Sequence, residues 1–478
     1  MSRKDRAPRP PLTLTMDRLD EKQTRGLAEG GRSLLVRGAP VGARLLVRPS
    51  KGGLGVRLGV VEPAPDAVAP ACPAFGRCGG CQLQEMPLAA QRAAKDDLLT
   101  RLVELEGDDT VLRHPIIGAP EAYGYRNKLE LSFSVQAFEG DDARAARLAD
   151  PEGAHAPVRG SFLGFHPPGW FAKVVPVDGC PLGTPAMQAV IQRVVGLQLG
   201  PAWDTQAHVG VWRNLVLRDC GDAAQSRLLV GLVTTSAASR AEVDAVAAEI
   251  AAVPHVEGVV WIVNDGVADV VAGPLSAVLF GSPTLRFSLP RLTLTLPHDG
   301  FFQVNTAGAA LLFGVIERAL LGETPAVQPG PVLDLYCGAG VIGLWLARWF
   351  SSVVGVELHP GSVAQARENA VQNGVSGRWE VGPVEEVLPA LGPLGARHVV
   401  VDPPRVGLHP KAARFLAQLD ADVLVYVACG PKSLARDRPI LEAGGWRMAS
   451  LAAVDLFPQT HHVEAVARFV RVRPVGPG

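Results

Sequence analysis

A chain of 478 residues with 47% hydrophobic and 19% charged residues has the composition of a folded globular protein, which excludes a wholly disordered chain or a fibrous repeat. At roughly 150 residues per unit its length predicts about three domains. The 46 basic and 47 acidic residues nearly cancel, so any nucleic-acid surface must be a local patch; the chain has no apolar run of about 18 residues and no signal-peptide core, which predicts a cytoplasmic protein without membrane contact.

Residues 1–11 are basic and proline-rich and are read as a disordered tail. Residues 12–65 carry short β-like runs over 12–16, 33–36, 44–47 and 56–61, broken by glycines; this pattern predicts a small β-barrel of the OB type. The proline- and alanine-rich stretch 63–70 reads as a linker. The central unit, 66–290, is expected to be α+β, with helices over 88–106 and 240–252 and strands over 125–135, 161–165, 214–218, 227–234 and 256–263. An exposed loop is expected over 140–157. From 291 to 478, apolar runs of four or five residues alternate with helical segments, the signature of a parallel, doubly wound, Rossmann-like sheet.

Seven cysteines in a chain without secretion signals argue against a disulfide framework. Cys72, Cys78 and Cys81 fall within ten residues, among glycines that let the loop turn tightly. Three ligands need a fourth, and Cys180, followed by Pro181, is the candidate. A four-cysteine zinc site and an iron–sulfur cluster both remain open on spacing alone. Cys220 and Cys337 are read as structural.

The run 332–335 is followed by Tyr336-Cys337-Gly338-Ala339-Gly340 and a helix. Glycines at a strand's carboxyl end let backbone approach a ligand where open α/β sheets bind it. Seventeen residues beyond Gly340, the next strand ends in Glu357, a carboxylate placed to accept hydrogen bonds from ribose hydroxyls. The full Gly-x-Gly-x-x-Gly of nicotinamide enzymes is absent, and a cofactor without pyrophosphate, S-adenosylmethionine, fits better. Two further strands end in Asp402-Pro403-Pro404-Arg405 and in Cys429-Gly430-Pro431, bringing a carboxylate and a thiol to the same rim. His461-His462-Val463-Glu464 precedes a last strand.

Taken together, Phe301-Phe302-Gln303-Val304-Asn305, the 334–340 loop, Gly355-Val356-Glu357, Asp402-Pro403-Pro404-Arg405, Cys429-Gly430-Pro431 and the 455–464 segment resemble the RNA 5-methyluridine (uracil-C5) methyltransferase family. The resemblance spans nearly the whole chain and implies a class I methyltransferase domain, an amino-terminal TRAM domain and a central RNA-binding domain. It also implies Cys429 as nucleophile, Glu464 as proton acceptor, and Gln303, Tyr336, Glu357 and Asp402 as contacts to S-adenosylmethionine. The Cys-x5-Cys-Gly-Gly-Cys-x-x-Gln stretch resembles the family's [4Fe-4S] site, which would assign Cys72, Cys78, Cys81 and Cys180 to a cluster. Barrel and cluster together imply 23S ribosomal RNA as substrate, with tRNA the nearest alternative; no obligate protein partner is implied. Gly430 stands where the family commonly has Asn, and Val341-Ile342 where it often has a polar–aromatic pair.

Two other readings compete. Asp402-Pro403-Pro404 is similar to the motif of amino-group methyltransferases, although Arg405 replaces its aromatic residue. A non-catalytic RNA-binding factor would need neither Cys429 nor Glu464. The segment Tyr125-Arg126-Asn127-Lys128 is expected to meet RNA, through an aromatic face and two cations, or else to be an ordinary charged strand edge.

Overall fold

The computed structural model describes residues 10–21, 23–140, 159–221, 225–268, 270–271 and 273–473. The expected tail, but for its last two residues, and the expected loop over 140–157, but for Gly140, lie outside them. Alternation in the first fifty residues builds β1 (Leu12–Asp20), β2 (Gln23–Leu27), β3 (Ser33–Val36), β4 (Arg44–Pro49) and β5 (Leu54–Glu62). They close into a barrel in the order β1-β2-β3-β5-β4. Leu14, Met16, Leu34, Val36, Leu45 and Val47 fill its interior because successive strand residues point to opposite faces. Closure requires glycine at 55, where a β-carbon would stand 2.4 Å from Cγ1 of Val47.

Helix α1 (Leu88–Leu102) and strand β6 (Leu112–Gly118) follow. The central sheet then forms from β7 (Lys128–Gln136), β8 (Arg159–Phe165), β9 (Val175–Pro176), β10 (Trp212–Asp219), β11 (Leu228–Thr234), β12 (Val256–Val263) and β13 (Leu275–Gly281), ordered β13-β12-β11-β10-β7-β8-β9. Helices α2 (Pro185–Gly196) and α3 (Arg240–Ala251) cover one face, packing Val190 and Val243 on Leu215, Val230 and Val259. On the other face Val216, Leu229, Val260 and Ile262 join the core of the β14 (Thr284–Leu289) and β15 (Leu292–Pro297) ribbon, through Leu285, Phe287, Leu294 and Leu296. This ribbon joins the central sheet to the third unit.

The third unit runs α4 (Thr306–Leu321), β16 (Pro331–Leu335), α5 (Val341–Leu346), β17 (Ser352–Glu357), α6 (Pro360–Gln372), β18 (Gly377–Val381), α7 (Val384–Ala390), β19 (His398–Val401), α8 (Pro410–Gln418), β20 (Val423–Ala428), α9 (Pro431–Ala443), β21 (Trp446–Asp455) and β22 (Glu464–Arg471). Its sheet has the order β18-β17-β16-β19-β20-β22-β21-β6. The five strands from β18 to β20 are parallel. Beyond these the sheet continues with β22, which is antiparallel to both β20 and β21. Antiparallel pairing is what a short connection permits, since a parallel return needs a crossover of a dozen or more residues, and only 456–463 separate β21 from β22.

The eighth strand, β6, comes from the segment expected to belong to the central unit; it pairs in parallel with β21. Helix α1 reaches the same edge, and its fully buried Lys95 donates to Oδ1 of Asp455 at 2.6 Å. A buried charge persists only when paired, so this bond fixes α1 on the carboxyl-terminal sheet. Among the described residues no helix is long and apolar enough to cross a membrane.

Candidate active site and thiol cavity

The register Leu335↔Val356, Leu335↔Val401 and Val401↔Tyr426 brings the carboxyl ends of β16, β17, β19 and β20 to one rim. In the loop after β16, Tyr336, Gly338 and Gly340 all have positive φ, of 62°, 54° and 80°. Left-handed backbone is costly for tyrosine, and this strained turn lies where a ligand would meet the rim. A β-carbon at Gly340 would come within 2.8 Å of the Trp379 ring, whereas one at Gly338 would meet nothing within 4 Å. The first glycine to be reached from outside is therefore open, and the second is packed.

Glu357 is held at the end of β17 by the backbone N–H groups of Gly338 at 3.1 Å and His359 at 2.9 Å. Asp334, fully buried, accepts from the N–H of Gly343 at 2.8 Å; burial outweighs that bond and raises its pKa to about 7. Burial likewise raises Asp402 to about 7 and pushes the Tyr336 hydroxyl to about 12. The carbonyl of Gln303 accepts from Nδ2 of Asn127 at 2.9 Å, which also donates to Oγ1 of Thr306 at 2.8 Å. Asn305 caps α4 through Gly308 at 2.8 Å and donates to the carbonyl of Leu456 at 2.9 Å.

Cys429 and Glu464 meet through strand pairing. Ala428 lies opposite Ala465, so the residue that leaves β20 and the residue that opens β22 are neighbours across the sheet. The Cys429 thiol is raised to about 11 by burial and then by the nearby carboxylates of Glu464 and Asp402; the nearby Arg405 guanidinium pulls in the opposite sense. Glu464, 4% exposed, is itself raised to about 8 by burial and Asp402. Near neutral pH the free protein therefore holds a thiol beside a protonated carboxyl group, with a guanidinium in reach of both. Gly430 follows the thiol, and a β-carbon there would approach the carbonyl oxygen of Arg405 to 3.1 Å, so a larger residue would need the neighbouring backbone to give by a few tenths of an ångström.

The motif Asp402-Pro403-Pro404-Arg405 gives no sign that the Arg405 guanidinium acts on the Cys429 thiol. The Lys95–Asp455 pair is equally hidden; a lysine on the apolar side of α1, between buried Gln91 and Leu98, is the available signal. In the segment 125–128, Tyr125 and Asn127 are engaged within the protein. Tyr125 donates its hydroxyl to the carbonyl of Pro458 at 2.9 Å, and Asn127 ties the central sheet to Gln303.

The four cysteines Cys72, Cys78, Cys81 and Cys180 line one cavity of about 70 Å³, with Phe75, Leu129 and Phe165 among its apolar walls. Among the described residues no three His, Cys, Asp or Glu side chains form a group that could hold a metal ion, and all seven cysteines are free of disulfides. Burial raises Cys78 to about 11 and Cys81 to about 12, and the neighbouring thiols add to both increases. Oε1 of Gln84 accepts from the N–H of Cys72 at 3.0 Å, while Nε2 of the same side chain is buried without a hydrogen-bond partner. Nε of Arg126, which lines the cavity, is buried without a hydrogen-bond partner. Four thiols and one spare cationic N–H thus line the same cavity. Arg37 of the barrel donates to the carbonyl of Gly79 at 3.0 Å, fastening this loop to the first unit.

Comparison with known proteins follows this division. Residues 332–402 match a methyltransferase-domain family, and residues 390–471, which hold Asp402, Cys429 and Glu464, match the tRNA (uracil-5-)-methyltransferase family. An uncharacterized RNA methyltransferase of Chlorobaculum tepidum is 34% identical, over 96% of this chain and 96% of its own length; one of Caldanaerobacter subterraneus is 33% identical, over 94% and 97%. The crystal structure of the Pyrococcus abyssi tRNA (uracil-54, C5)-methyltransferase, solved with S-adenosyl-L-homocysteine, superposes with a TM-score of 0.73 at 24% identity, covering 96% of this chain and all of that one, and shares its fold. The chain belongs to the RNA methyltransferase family, in the group whose carboxyl-terminal domain is the uracil-5-methyltransferase domain.

Proposed function

We propose that this protein methylates carbon 5 of a uridine in RNA by way of a covalent bond between Cys429 and carbon 6. The observation that carries the proposal is the β20–β22 register, which brings Cys429 and Glu464 together at the rim with Asp402 and Arg405. Carbon 5 of uracil is too weak a nucleophile to take a methyl group unaided. Addition of a thiolate to carbon 6 turns the ring into an enolate whose carbon 5 is electron-rich. S-adenosylmethionine, when bound, supplies the electrophilic methyl group. Glu357 and Asp402 would hold it at the strand ends, with Gln303 and Tyr336, as far as the open side of Gly338 allows its approach.

The proton balance assigns the remaining roles. The thiol gives up its proton before addition, aided by the Arg405 guanidinium, because only the thiolate attacks. Carbon 5 then carries both its original hydrogen and the new methyl group. Glu464, as carboxylate, removes that hydrogen as a proton, and the electron pair expels the sulfur from carbon 6. The products are 5-methyluridine and S-adenosylhomocysteine, the thioether left when the sulfonium gives up its methyl group, with one proton released per turnover. A base in a folded RNA must be turned out of its stack to reach the rim.

The substrate we assign is 23S ribosomal RNA. What supports it is the joint occurrence of an amino-terminal barrel, read as a TRAM domain, and a four-cysteine loop; the barrel's tie to that loop through Arg37 makes one RNA-facing arm of the two. A tRNA substrate is the second reading, favoured by the tRNA specificity of the Pyrococcus abyssi protein. Cys72, Cys78, Cys81 and Cys180 would hold a [4Fe-4S] cluster, with zinc the alternative for the same thiolates. Such a group would serve structure or RNA contact, since methyl transfer needs no electrons. The domain limits 12–65, 66–290 and 291–478 belong to the same proposal, with β6 crossing from the second to the third.

Incubating the protein with 5-fluorouracil-substituted 23S transcript and S-adenosylmethionine tests the reaction, because fluorine at carbon 5 cannot leave as a proton. A trapped adduct at Cys429 is expected, and Cys429→Ala is expected to form none and to lose methylation by about 10⁴-fold or more. Full turnover by Cys429→Ala sinks the covalent route; adduct formation with tRNA in place of the 23S transcript selects the second substrate.

A further inference from the structure

Away from the rim, a second cavity of about 290 Å³ is lined by strands of the central sheet and by His298 and Asp299, which follow the β14–β15 ribbon. Its floor is apolar: Val216, Leu229, Val260 and Ile262, each at most 6% exposed. Gly231 keeps the floor low, since a β-carbon there would meet Cβ of Val216 at 3.2 Å and Cδ1 of Ile262 at 3.6 Å. The wall is charged. Arg218 of β10 lies directly opposite Lys128 of β7, and like charges so placed destabilise a sheet.

Arg218 is 3% exposed. One of its nitrogens, Nη1, donates to the carbonyl of His298 at 2.9 Å, and its Nε is buried without a partner. No ion pair neutralises it among the described residues. A buried, incompletely satisfied guanidinium has a strong preference for an anion. Lys128 pairs with Glu130 at 2.6 Å, its side chain 35% exposed, and Asp299 stands at the edge, 75% exposed. Two cations and two acids around an apolar floor match more than an inorganic anion. Planar apolar contact, a cation for phosphate and carboxylates for exocyclic amino groups are together what a nucleotide requires.

We propose that this cavity is a nucleotide subsite, which takes one nucleotide of the RNA other than the methylated uridine, its base on the apolar floor and its phosphate at Arg218 and Lys128. The inference rests on the RNA-methylation reading and adds a second point of attachment to it. The site is coupled to the rim by position. His298 and Asp299 lie in the segment that leads to Gln303, and Asn127, next to Lys128, holds the Gln303 carbonyl. An occupied subsite thus sets the segment that meets the methyl donor.

The experiment measures Kd of the full-length protein for unmodified 23S transcript by filter retention, over a range of salt and without methyl donor. Lys128→Gln is expected to raise Kd about tenfold and to reduce the slope of log Kd against log salt by about one, as one phosphate contact is lost. Gly231→Leu, which fills the floor, is expected to raise Kd about tenfold with an unchanged slope; Val271→Phe at the cavity wall repeats that test should the leucine variant misfold. An unaltered slope in Lys128→Gln overturns the subsite, and so does wild-type affinity in folded Gly231→Leu or Val271→Phe, which leaves a phosphate contact without a base. Failure of uridine methylation bears on Cys429 and is read separately, since these affinities need no methyl transfer.

Discussion

The rim thiol and the thiols of the loop cavity share one property: burial raises their pKa, to about 11 at Cys429 and Cys78 and about 12 at Cys81. Their surroundings differ in kind. At the rim, one thiol faces two carboxyl groups and a guanidinium, so every neighbour bears on where a proton resides. In the loop cavity the thiols chiefly face one another; ionising them together is unfavourable unless a cation binds among them. Under the proposed function, the first environment would move a proton and the second would be neutralised by a positive centre.

The largest test of that contrast is Glu464→Gln, which leaves Cys429 able to add but removes the proton acceptor. Turnover is expected to fall about 10²–10⁴-fold, with the RNA adduct accumulating on natural uridine, as seen by a shifted band on a denaturing gel. Turnover at the wild-type rate would transfer the role of base to another group. A smaller effect on activity and a larger one on cohesion is expected for Cys81→Ser: loss of iron by elemental analysis, loss of the brown colour, and a thermal midpoint lower by several degrees. Colourless wild-type protein carrying zinc would reassign the centre, and protein without either metal would remove it.

The rim is legible in the sequence because each of its groups ends a strand and lies in a contiguous motif. Glu357, Asp402 and Cys429 each follow an apolar run of the parallel sheet, and the place of such ends is fixed by topology. What joins distant segments is not legible. Lys95 and Asp455 are 360 positions apart, and nothing local in α1 identifies its partner. Strand β6, with Pro115 inside it and half-exposed residues along it, lacks the alternation that marks a strand, and it takes its structure from β21. The run 125–128 has the composition of an RNA contact, yet Tyr125 and Asn127 spend their polar groups on Pro458, Gln303 and Thr306. Composition reports what a segment can bind, and only packing reports what already occupies it.

The two raised pKa values at the rim also fix the sign of its pH dependence. Both reacting groups work in their deprotonated forms, with Glu464 near 8 and Cys429 near 11, so kcat/KM is expected to rise from pH 6 to pH 9 without a falling limb. Arg405→Gln removes the group that lowers the thiol pKa. Its profile is expected to move to higher pH, and a displacement of about one on the pH axis corresponds to a loss of about tenfold at pH 7.5. A bell centred near neutrality would show that bound RNA resets these groups before addition.

The smallest effect is on stability, and it separates the rim from the thiol cavity most cleanly because removing the group should help. Glu464 binds its proton more tightly folded than unfolded, with a pKa of about 8 against an ordinary value of 4.5. Below pH 4.5 both states are protonated and the group is neutral toward folding. Between 4.5 and 8 the native state holds more protons than the unfolded state, so stability falls as pH rises, reaching its full cost above 8. Glu464→Gln removes that titration. The variant is expected to match the wild type near pH 4.5 and to exceed it by a few degrees in Tm at pH 8, a gain on the order of 1–3 kcal/mol. Cys81→Ser should show the opposite sign at every pH, since it removes a ligand and relieves no charged group. A Tm difference for Glu464→Gln that does not grow with pH would mean that the carboxyl group is already ionised at neutrality, and that the acceptor is poised before RNA arrives.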